Sequence, residues 1–383
     1  MKNNCFWGSI VSLVCASSAF AADATLSLKD GLEVGFTDHI KWSVGLRLQS
    51  DSVQFNDDIT PLEDDTDFRR ARIITKLNVG NWHLGADYDE GISEGWKNVF
   101  IQYRGLRKQR ITIGNQTAPF SMEDLSSSMA QPFMERSVAT ALSPGMLQGM
   151  SYRRWGDNWS VNGGFFGDEL SELDRRRLRG ESVIVRGTYA PIINDNNTVH
   201  FGISGEVRNV DSGEKVGYKM RPGTRLSDRR LITTRSIENV DKSDTIGFEF
   251  AASHRDLRVQ AETIHAYLDA AEGDLHFNGQ HITVSKVISG GNYRYSHSSG
   301  VFIPVRPQGS WGALELAARY ARLDLTDDFV EGGEQTEATL AASWIINRQL
   351  RATVNYSFIE ADPNRNGDHE DVSLLMMRLQ FEI

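Results

Sequence analysis

Cysteine is nearly absent from this chain. Its 383 residues contain two, Cys5 and Cys15, and both lie close to the N-terminus. Exported proteins often depend on disulfides for stability, so a chain without further cysteines needs another source of stability. The same absence leaves no thiolate ligands for a metal site in the rest of the chain.

Long hydrophobic runs are also missing. Beyond residue 21, no stretch approaches 18 consecutive apolar residues, so the sequence predicts no membrane-spanning helix. A transmembrane β-strand needs only about 9–11 residues with every second side chain apolar. The composition therefore argues against a helical membrane protein, and a membrane barrel stays possible.

The N-terminus has the pattern of a signal peptide. Lys2 is followed by an apolar core at 6–14, and Ala19 and Ala21 form a small-x-small cleavage site. A membrane anchor would need a longer apolar run of about 20 residues, and Val14 is a poor fit to the small residue that precedes a lipoprotein cysteine. We expect residues 1–21 to be removed and residues 22–383 to form one domain.

Basic charge is scarce, and lysine is scarcer than arginine. Residues 22–383 contain 40 basic and 51 acidic side chains, a net charge of −11, and 31 of the 41 basic residues in the whole chain are arginine. This acidity argues against nucleic acid as a partner. The nine histidines lack metal-ligand spacing, and no phosphate-binding glycine motif occurs. We therefore expect no enzyme activity, no metal and no cofactor.

Alternation of apolar and polar side chains is the dominant pattern that is present. In residues 68–79 one face carries Arg70, Arg72, Lys76 and Asn78, with Ile74 as its apolar member, and the other carries Ala71, Ile73, Thr75, Leu77 and Val79. Because successive side chains leave a strand on opposite faces, this period predicts a β-strand. Sixteen such segments occur, near 40–49, 68–79, 82–89, 96–104, 109–115, 148–156, 158–166, 181–190, 199–207, 244–252, 256–266, 279–289, 311–321, 337–345, 350–358 and 372–383.

The length of each connection depends on whether it follows an odd-numbered or an even-numbered strand. They are tight after the second, fourth, sixth, tenth and fourteenth strands, and long and polar after the first, fifth, seventh, ninth, eleventh, thirteenth and fifteenth. Short turns at one end and long loops at the other are typical of a bacterial outer-membrane barrel. The sequence thus predicts an all-β fold, a 16-stranded antiparallel transmembrane β-barrel. The exception is the connection 290–310, which is long where parity predicts a short turn.

The last strand alternates up to the final residue. Leu375, Met377, Leu379, Phe381 and Ile383 share one face. In a soluble sandwich this strand would be an exposed edge, whereas in a closed barrel it pairs with the first strand. The segment also resembles the C-terminal assembly signal of outer-membrane proteins, with Ile383 in place of the usual phenylalanine.

In such a barrel the polar face is the lumen. The alternation directs Arg70, Arg72, Lys76 and Arg110 inward, together with Arg258, Arg319, Arg351 and Arg378 and the acids Glu262, Glu315 and Glu382. The connection 116–146 is long and too apolar for a solvated tether, which favours a segment folded into the barrel over a surface loop.

Four segments resemble the phosphate- and polyphosphate-selective porins of Gram-negative bacteria: "FRRARI", "APFSMEDLSSS", "FMERS" and "WGALELAARYARLDL". The resemblance implies a sixteen-stranded, usually trimeric barrel whose third outer loop folds into an arginine-rich constriction. Arg70 and Arg72 match the basic pair of the first segment, and Arg136 the arginine of the third. Met146 stands where the family has a basic residue, and only nine lysines follow residue 21.

The function expected from the sequence is passive diffusion of anions, phosphate or polyphosphate, across the outer membrane. The expected pore residues are Arg70, Arg72, Lys76, Arg110, Arg136 and Arg153. The expected partners are inorganic anions, outer-membrane lipid, lipopolysaccharide and two further copies in a homotrimer. The alternatives are a porin for general solutes or organic anions, an outer-membrane hydrolase, and a secreted carbohydrate-binding sandwich.

Overall fold

The computed structural model describes residues 25–27, 31–37, 39–171 and 176–383, so the expected signal peptide lies outside the described residues. Sixteen antiparallel strands form one closed barrel, as the alternation predicts. They are β1 (Ile40–Asn56), β2 (Asp65–Val79), β3 (Trp82–Asp89), β4 (Gly95–Tyr103), β5 (Gln109–Thr117), β6 (Met146–Trp155), β7 (Trp159–Phe166), β8 (Gly180–Ile193), β9 (Asn197–Val210), β10 (Val240–His254), β11 (Leu257–Ala270), β12 (Gly273–Ser289), β13 (Ala313–Asp327), β14 (Val330–Ile345), β15 (Leu350–Ala361) and β16 (Glu370–Glu382).

The barrel closes where the last strand meets the first. Strand β1 pairs with β2 on one side and with β16 on the other, and Leu48 lies opposite Phe381. Ile383 donates its N–H to the carbonyl of Leu46 and accepts the Leu46 N–H in return, each at 2.9 Å. This pairing leaves no open edge between the two ends of the sheet.

The two faces of the wall have opposite chemistry. Large apolar side chains point outward, among them Phe165 and Leu340. Charged and polar side chains point inward and are buried there, for example Arg186, Glu249 and Arg378. An apolar outer band and a polar interior are what a membrane barrel requires. No helix among the described residues is long and apolar enough to span a membrane.

The prediction of long outer loops after the eleventh and thirteenth strands is wrong. Strands β11 and β12 continue to a turn at residues 271–272, and β13 and β14 to a turn at 328–329. Side chains continue to alternate between the two faces beyond the apolar outer band, where polar residues such as His265 occupy the outward face. The strands therefore remain paired where a loop was expected. Two-residue turns then suffice to close both hairpins.

The longest connection near the start of the barrel lies against inward-facing side chains. Residues 118–145, hereafter the inner loop, contain one short helix, α1 (Met122–Leu125), and a 3-10 helix at Val138–Leu142. Phe120 and Leu142 of this loop are fully buried with the inward-facing Phe277 of β12. The loop therefore fills part of the lumen.

The long connection after β12 also enters the barrel. Residues 290–312 contain the paired strands Arg294–Ser296 and Val301–Ile303. Phe302 and Val305 pack in one buried cluster with Met122 of the inner loop. Arg186 of β8 donates to the carbonyls of Ser299 (3.0 Å) and Gly300 (2.8 Å). This exception to the parity rule is thus a second inner segment, which enters from the end of the barrel that carries the short turns.

Short strands outside the wall complete the described elements. Leu32–Thr37 pairs with the first residues of β1 and with Thr25–Ser27. The outer loop 211–239 contributes Gly217–Met220 and Ile232–Thr233, and Gly217–Met220 also pairs with Arg176–Arg177. The ring of Tyr218 in this outer loop packs on the inward-facing Phe277, with 5.6 Å between centroids. The outer loop therefore contacts the interior of the barrel.

Candidate functional site

A β-bulge in β2 brings two neighbouring arginines into the lumen. Across β1, Gln49 lies opposite Arg70 and Ser50 lies opposite Phe68, so Arg69 is an extra residue in the register. Arg69 is 4% exposed, whereas Phe68 is 51% exposed. A bulge re-aims the side chains beside it. Strict alternation would have placed Arg69 on the lipid-facing side with Ala71.

A second register shift lies between β3 and β4. Ala86 pairs with Val99 and Tyr88 with Trp96, so Lys97 and Asn98 both lie opposite Asp87. Lys97 is only 7% exposed, and its side chain lines the lumen. Val99, two positions after Lys97, faces outward. Because residues two positions apart share a face of a regular strand, alternation alone would have directed Lys97 outward as well.

These irregularities border a cavity of about 490 Å³ between the barrel wall, the inner loop and the outer loop 211–239. We call it the cationic cavity. Its cationic side chains are Arg47, Arg69, Arg70, Arg72, Lys76, Lys97, Arg136 and Arg225, and its acidic ones are Asp87, Asp124 and Glu382. Met146, which stands where a basic residue was expected, also lines it.

Four of these arginines are matched to carboxylates. The nearest N···O distances are 2.8 Å for Arg47 with Glu382, 2.5 Å for Arg69 with Glu135, 3.0 Å for Arg72 with Asp89, and 3.3 Å for Arg136 with Asp124. Planar guanidinium groups suit this role, because they bind carboxylates through two parallel hydrogen bonds. The pairs fix where these arginines point and reduce the charge that they offer to a solute.

Three cations of the cavity have no carboxylate within ion-pair distance among the described residues: Arg70, Lys76 and Lys97. Arg70 donates from Nη1 to the hydroxyl of Ser128 at 3.0 Å. Lys97 reaches the carbonyl of Glu94 at 3.5 Å. Lys76 is exposed and borders both the cationic cavity and a second cavity of about 420 Å³ beside residues 303–306 and Ile383.

The inner loop is held by groups on the opposite wall. Glu262 of β11 accepts the N–H groups of Met122 (3.0 Å) and Glu123 (2.7 Å) at the start of α1. The inward arginines of the later strands donate to loop carbonyls, Arg351 to Met129 at 3.0 Å and Arg378 to Met134 at 2.7 Å. Much of the arginine in this chain thus positions the loop.

Glu135 of the inner loop is the charged centre of this anchoring. It accepts hydrogen bonds from Arg69 through both carboxylate oxygens, and Arg378 approaches within 3.4 Å. Burial alone would raise the pKa of the Glu135 carboxyl, but the charges of Arg69 and Arg378 hold this pKa far below its usual range. Glu135 is therefore ionised at physiological pH.

The residues expected from the sequence separate into two groups. Arg70, Arg72, Lys76 and Arg136 line the cationic cavity together. Arg110 and Arg153 do not: they face each other across β5 and β6, near the short-turn end. The Arg110 guanidinium lies over the ring of Trp155, 4.9 Å from its centroid. Alternation indicates which face a side chain occupies, but it does not give the depth along the barrel.

Several lining cations were missed by sequence reasoning. Arg69 and Lys97 were missed because bulges reverse their faces, and Arg225 because it lies in an irregular outer loop. Arg47 could have been found, since it alternates with Leu46 and Leu48 in the first predicted strand.

The comparisons with known proteins agree with this architecture. Residues 43–383 match the sequence family described as phosphate-selective porin O and P. Porin O of Pseudomonas aeruginosa is 24% identical over 98% of each chain, and an uncharacterized protein of Caulobacter vibrioides is 28% identical over 78% of this chain and 67% of its own.

Solved structures of an outer-membrane protein and of a porin have the same fold. A loop-deleted OmpT of Vibrio cholerae aligns with a TM-score of 0.58 at 12% identity, over 90% of this chain and 100% of its own. An anion-selective porin from Comamonas acidovorans aligns with a TM-score of 0.54 at 11% identity, over the same shares of the two chains. At these identities the likeness shows the fold alone.

Proposed function

Because the chain belongs to the phosphate-selective porin O and P family, we propose that this outer-membrane porin conducts anions, with phosphate or polyphosphate as its preferred solutes. The observation that carries the proposal is the cationic cavity beside the inner loop, in which eight cationic side chains are opposed by three lining carboxylates and by Glu135 and Asp89, the partners of Arg69 and Arg72. A field of this sign attracts anions and raises their local concentration. Conduction is passive, and no reaction is part of the proposal.

The contacts of Arg70 suit it to transient anion binding. Its Nη1 is bonded to a neutral hydroxyl, and its Nη2 has no partner among the described residues and, unlike Nε, is not buried. A guanidinium stays charged at every physiological pH and can contact two oxygens of a phosphate. Conduction also requires that a solute leave again, which moderate sites permit better than one deep well.

The net negative charge of the chain is compatible with an anion pore. Many of its acids lie in outer connections such as residues 57–64, where Asp57, Asp58 and Glu63 are exposed. Selectivity follows the local field along the pore, and not the net charge of the molecule. Water and salt screen the outer acids over a Debye length of about 8 Å at physiological ionic strength.

A general or organic-anion porin is the second candidate. The uncharged Met146 in the cationic cavity and the low lysine content favour it, because both reduce the positive charge relative to the pattern of the family. The two candidates share the anion preference and differ in whether phosphate binds more tightly than chloride.

Reversal potentials in planar bilayers under a chloride gradient test the proposal. We expect anion preference in the wild type, and a reduced preference in Arg70→Ala and in the double variant Arg70→Ala with Arg72→Ala. Arg229→Ala, which removes an arginine of the outer loop 211–239, is the matched control and should behave as wild type. Cation preference in the wild type would end the anion proposal.

Addition of phosphate to the chloride bath separates the two candidates. Block of the chloride current at millimolar phosphate supports phosphate preference, because a bound anion excludes chloride from the cavity. Anion preference without such block would identify a general anion porin.

We also propose that the porin assembles as a homotrimer in contact with lipid and lipopolysaccharide. The trimer form of Vibrio cholerae OmpT, a fold neighbour with a TM-score of 0.57, supports this assembly. Light scattering of the detergent-solubilised protein should give the mass of three chains. A mass of one chain would refute the trimer and leave the porin proposal intact.

A further inference from the structure

Lys97 is the one lining cation of the described barrel strands that neither the alternation nor the motif "FRRARI" singles out. It reaches the lumen through the register shift opposite Asp87, and it is buried in the cationic cavity. Among the described residues, its ammonium makes one hydrogen bond, a long contact with the Glu94 carbonyl at 3.5 Å. A buried ammonium without a carboxylate is costly unless a partner arrives.

The neighbouring carboxylates are already engaged. Asp89 is bonded to Arg72 and to the N–H groups of Ala71 and Gly91. Asp87 accepts a hydrogen bond from the amide of Asn98 at 2.8 Å. Neither carboxylate lies within ion-pair distance of Lys97, so its charge remains directed at the cavity.

A charge count then gives the valence of the missing partner. The four matched arginines cancel against their carboxylates. Among the other lining groups, the cations Arg70, Lys76 and Lys97 and the acid Asp87 leave a net charge of +2, and Arg225, which has contacts of its own and is bonded to Ser93, is left out of this count. A single monovalent anion would not neutralise this charge.

We propose that Arg70 and Lys97 form a binding site for a doubly charged tetrahedral oxyanion, with valence as the basis of selection. This proposal rests on the proposed anion conduction and names the residues and the charge class. Arg70 offers its Nη2, which has no partner among the described residues and is not buried, and Lys97 offers ammonium donors, while the Ser128 hydroxyl adds a neutral contact. The matched arginines Arg72 and Arg136 shape the cavity and contribute less to the binding energy.

Two anions of the same shape and different charge test the valence. Sulfate and perchlorate are both tetrahedral, with two charges and one. In the wild type, sulfate should block the chloride current at a concentration at least about tenfold lower than perchlorate. A tenfold difference corresponds to about 1.4 kcal/mol, which is no more than one hydrogen bond to a charged group contributes. Equal block by the two anions would overturn selection by valence, without the need for any variant.

The variant Lys97→Gln tests the residue. It should raise the half-blocking concentration of sulfate about tenfold and change that of perchlorate less. Lys97→Arg should retain the block. Lys215→Gln, which removes a lysine bonded to Glu238 in the outer loop, is the matched control and should leave both values unchanged.

Assembly separates a binding role from a structural one. Because Lys97 has no carboxylate partner, its neutralisation should leave the heat-modifiable barrel at wild-type yield, whereas a structural cation would be required for that yield. A sulfate block that is unchanged in Lys97→Gln would overturn the role of Lys97. Wild-type anion preference and phosphate block would still stand in that case, so the failure is distinct from failure of the proposed function.

Discussion

Arg69 donates from Nε and Nη2 to the two carboxylate oxygens of Glu135, at 2.5 and 3.0 Å. The arginine lies at the bulge of β2, and the carboxylate lies in the inner loop. One bidentate ion pair thus joins the irregular wall of the cationic cavity to the segment that narrows it.

Glu135→Gln should release the inner loop. The substitution leaves the buried Arg69 without its counter-ion, and breaking a buried pair in this way typically costs about 3–5 kcal/mol. We expect earlier urea-induced unfolding in lipid vesicles and a noisier, larger single-channel conductance. Glu238→Gln, at an exposed pair with Lys215, is the control and should change stability by less than about 1 kcal/mol. Equal unfolding of both variants would contradict the anchoring role.

The same ion pair predicts acid resistance of the loop. The pKa of Glu135 is lower in the folded protein than in the unfolded chain, so the pair stabilises the fold fully above the usual glutamate pKa of about 4.3. This stabilisation is lost only as the pH falls through the depressed value. Chloride conductance should therefore change little between pH 7 and pH 5, and an opening within that interval would show that another group controls the loop.

Deletion of residues 121–135 should widen the pore. The deletion removes α1 and the carbonyls to which Arg351 and Arg378 donate, and the exposed guanidinium groups can then be hydrated in an open lumen. Single-channel conductance should rise while the barrel still forms, as judged by heat-modifiable migration. Unchanged conductance would place the narrowest point elsewhere.

Replacement of residues 293–306 by an Asn-Gly turn should also raise conductance, but for a different reason. This segment packs on Met122 and accepts hydrogen bonds from Arg186, and it borders no part of the cationic cavity. We therefore expect a larger chloride current with the sulfate block retained. Loss of the block would show that the segment supports the anion site through the inner loop.

Removal of residues 381–383 should prevent closure of the barrel. It deletes the pairing of Phe381 with Leu48 and both hydrogen bonds between Ile383 and Leu46. The yield of heat-modifiable protein in the outer membrane should fall severalfold or more. Ile383→Phe keeps the main-chain bonds and an apolar side chain, so it should assemble normally. Similar yields from both variants would show that the seam tolerates the loss.

The wall of the barrel could be predicted because one physical rule governs it. Lipid on one side and a polar lumen on the other impose a period of two, and all sixteen strands were found from that period alone. The same rule predicted that Arg258, Arg319, Arg351 and Arg378 point inward. It could not show that they bind the inner loop, because their partners are carbonyls more than 100 positions away.

The candidate site was predicted less completely, because it lies where β-bulges interrupt the two-residue alternation of inward and outward side chains. Arg69 and Lys97 enter the lumen through register shifts, which a strict period of two does not predict. Local departures from regular geometry concentrate at functional sites, where they aim particular side chains. Arg70 and Arg72 were found because they lie on the regular side of the bulge.

The way the inner loop is anchored bears on how this porin could evolve. Besides the Glu135 carboxylate and buried side chains such as Phe120, the wall holds the loop by backbone carbonyls, and a carbonyl is present whatever side chain the residue carries. Substitutions of loop side chains that are neither buried nor bonded to the wall would therefore leave the position of the loop intact while they change the chemistry that it presents to a passing solute. Natural variation could alter the preference of the pore without disturbing the barrel. The anchored carbonyls belong to Met129, Ala130, Pro132, Met134 and Glu135.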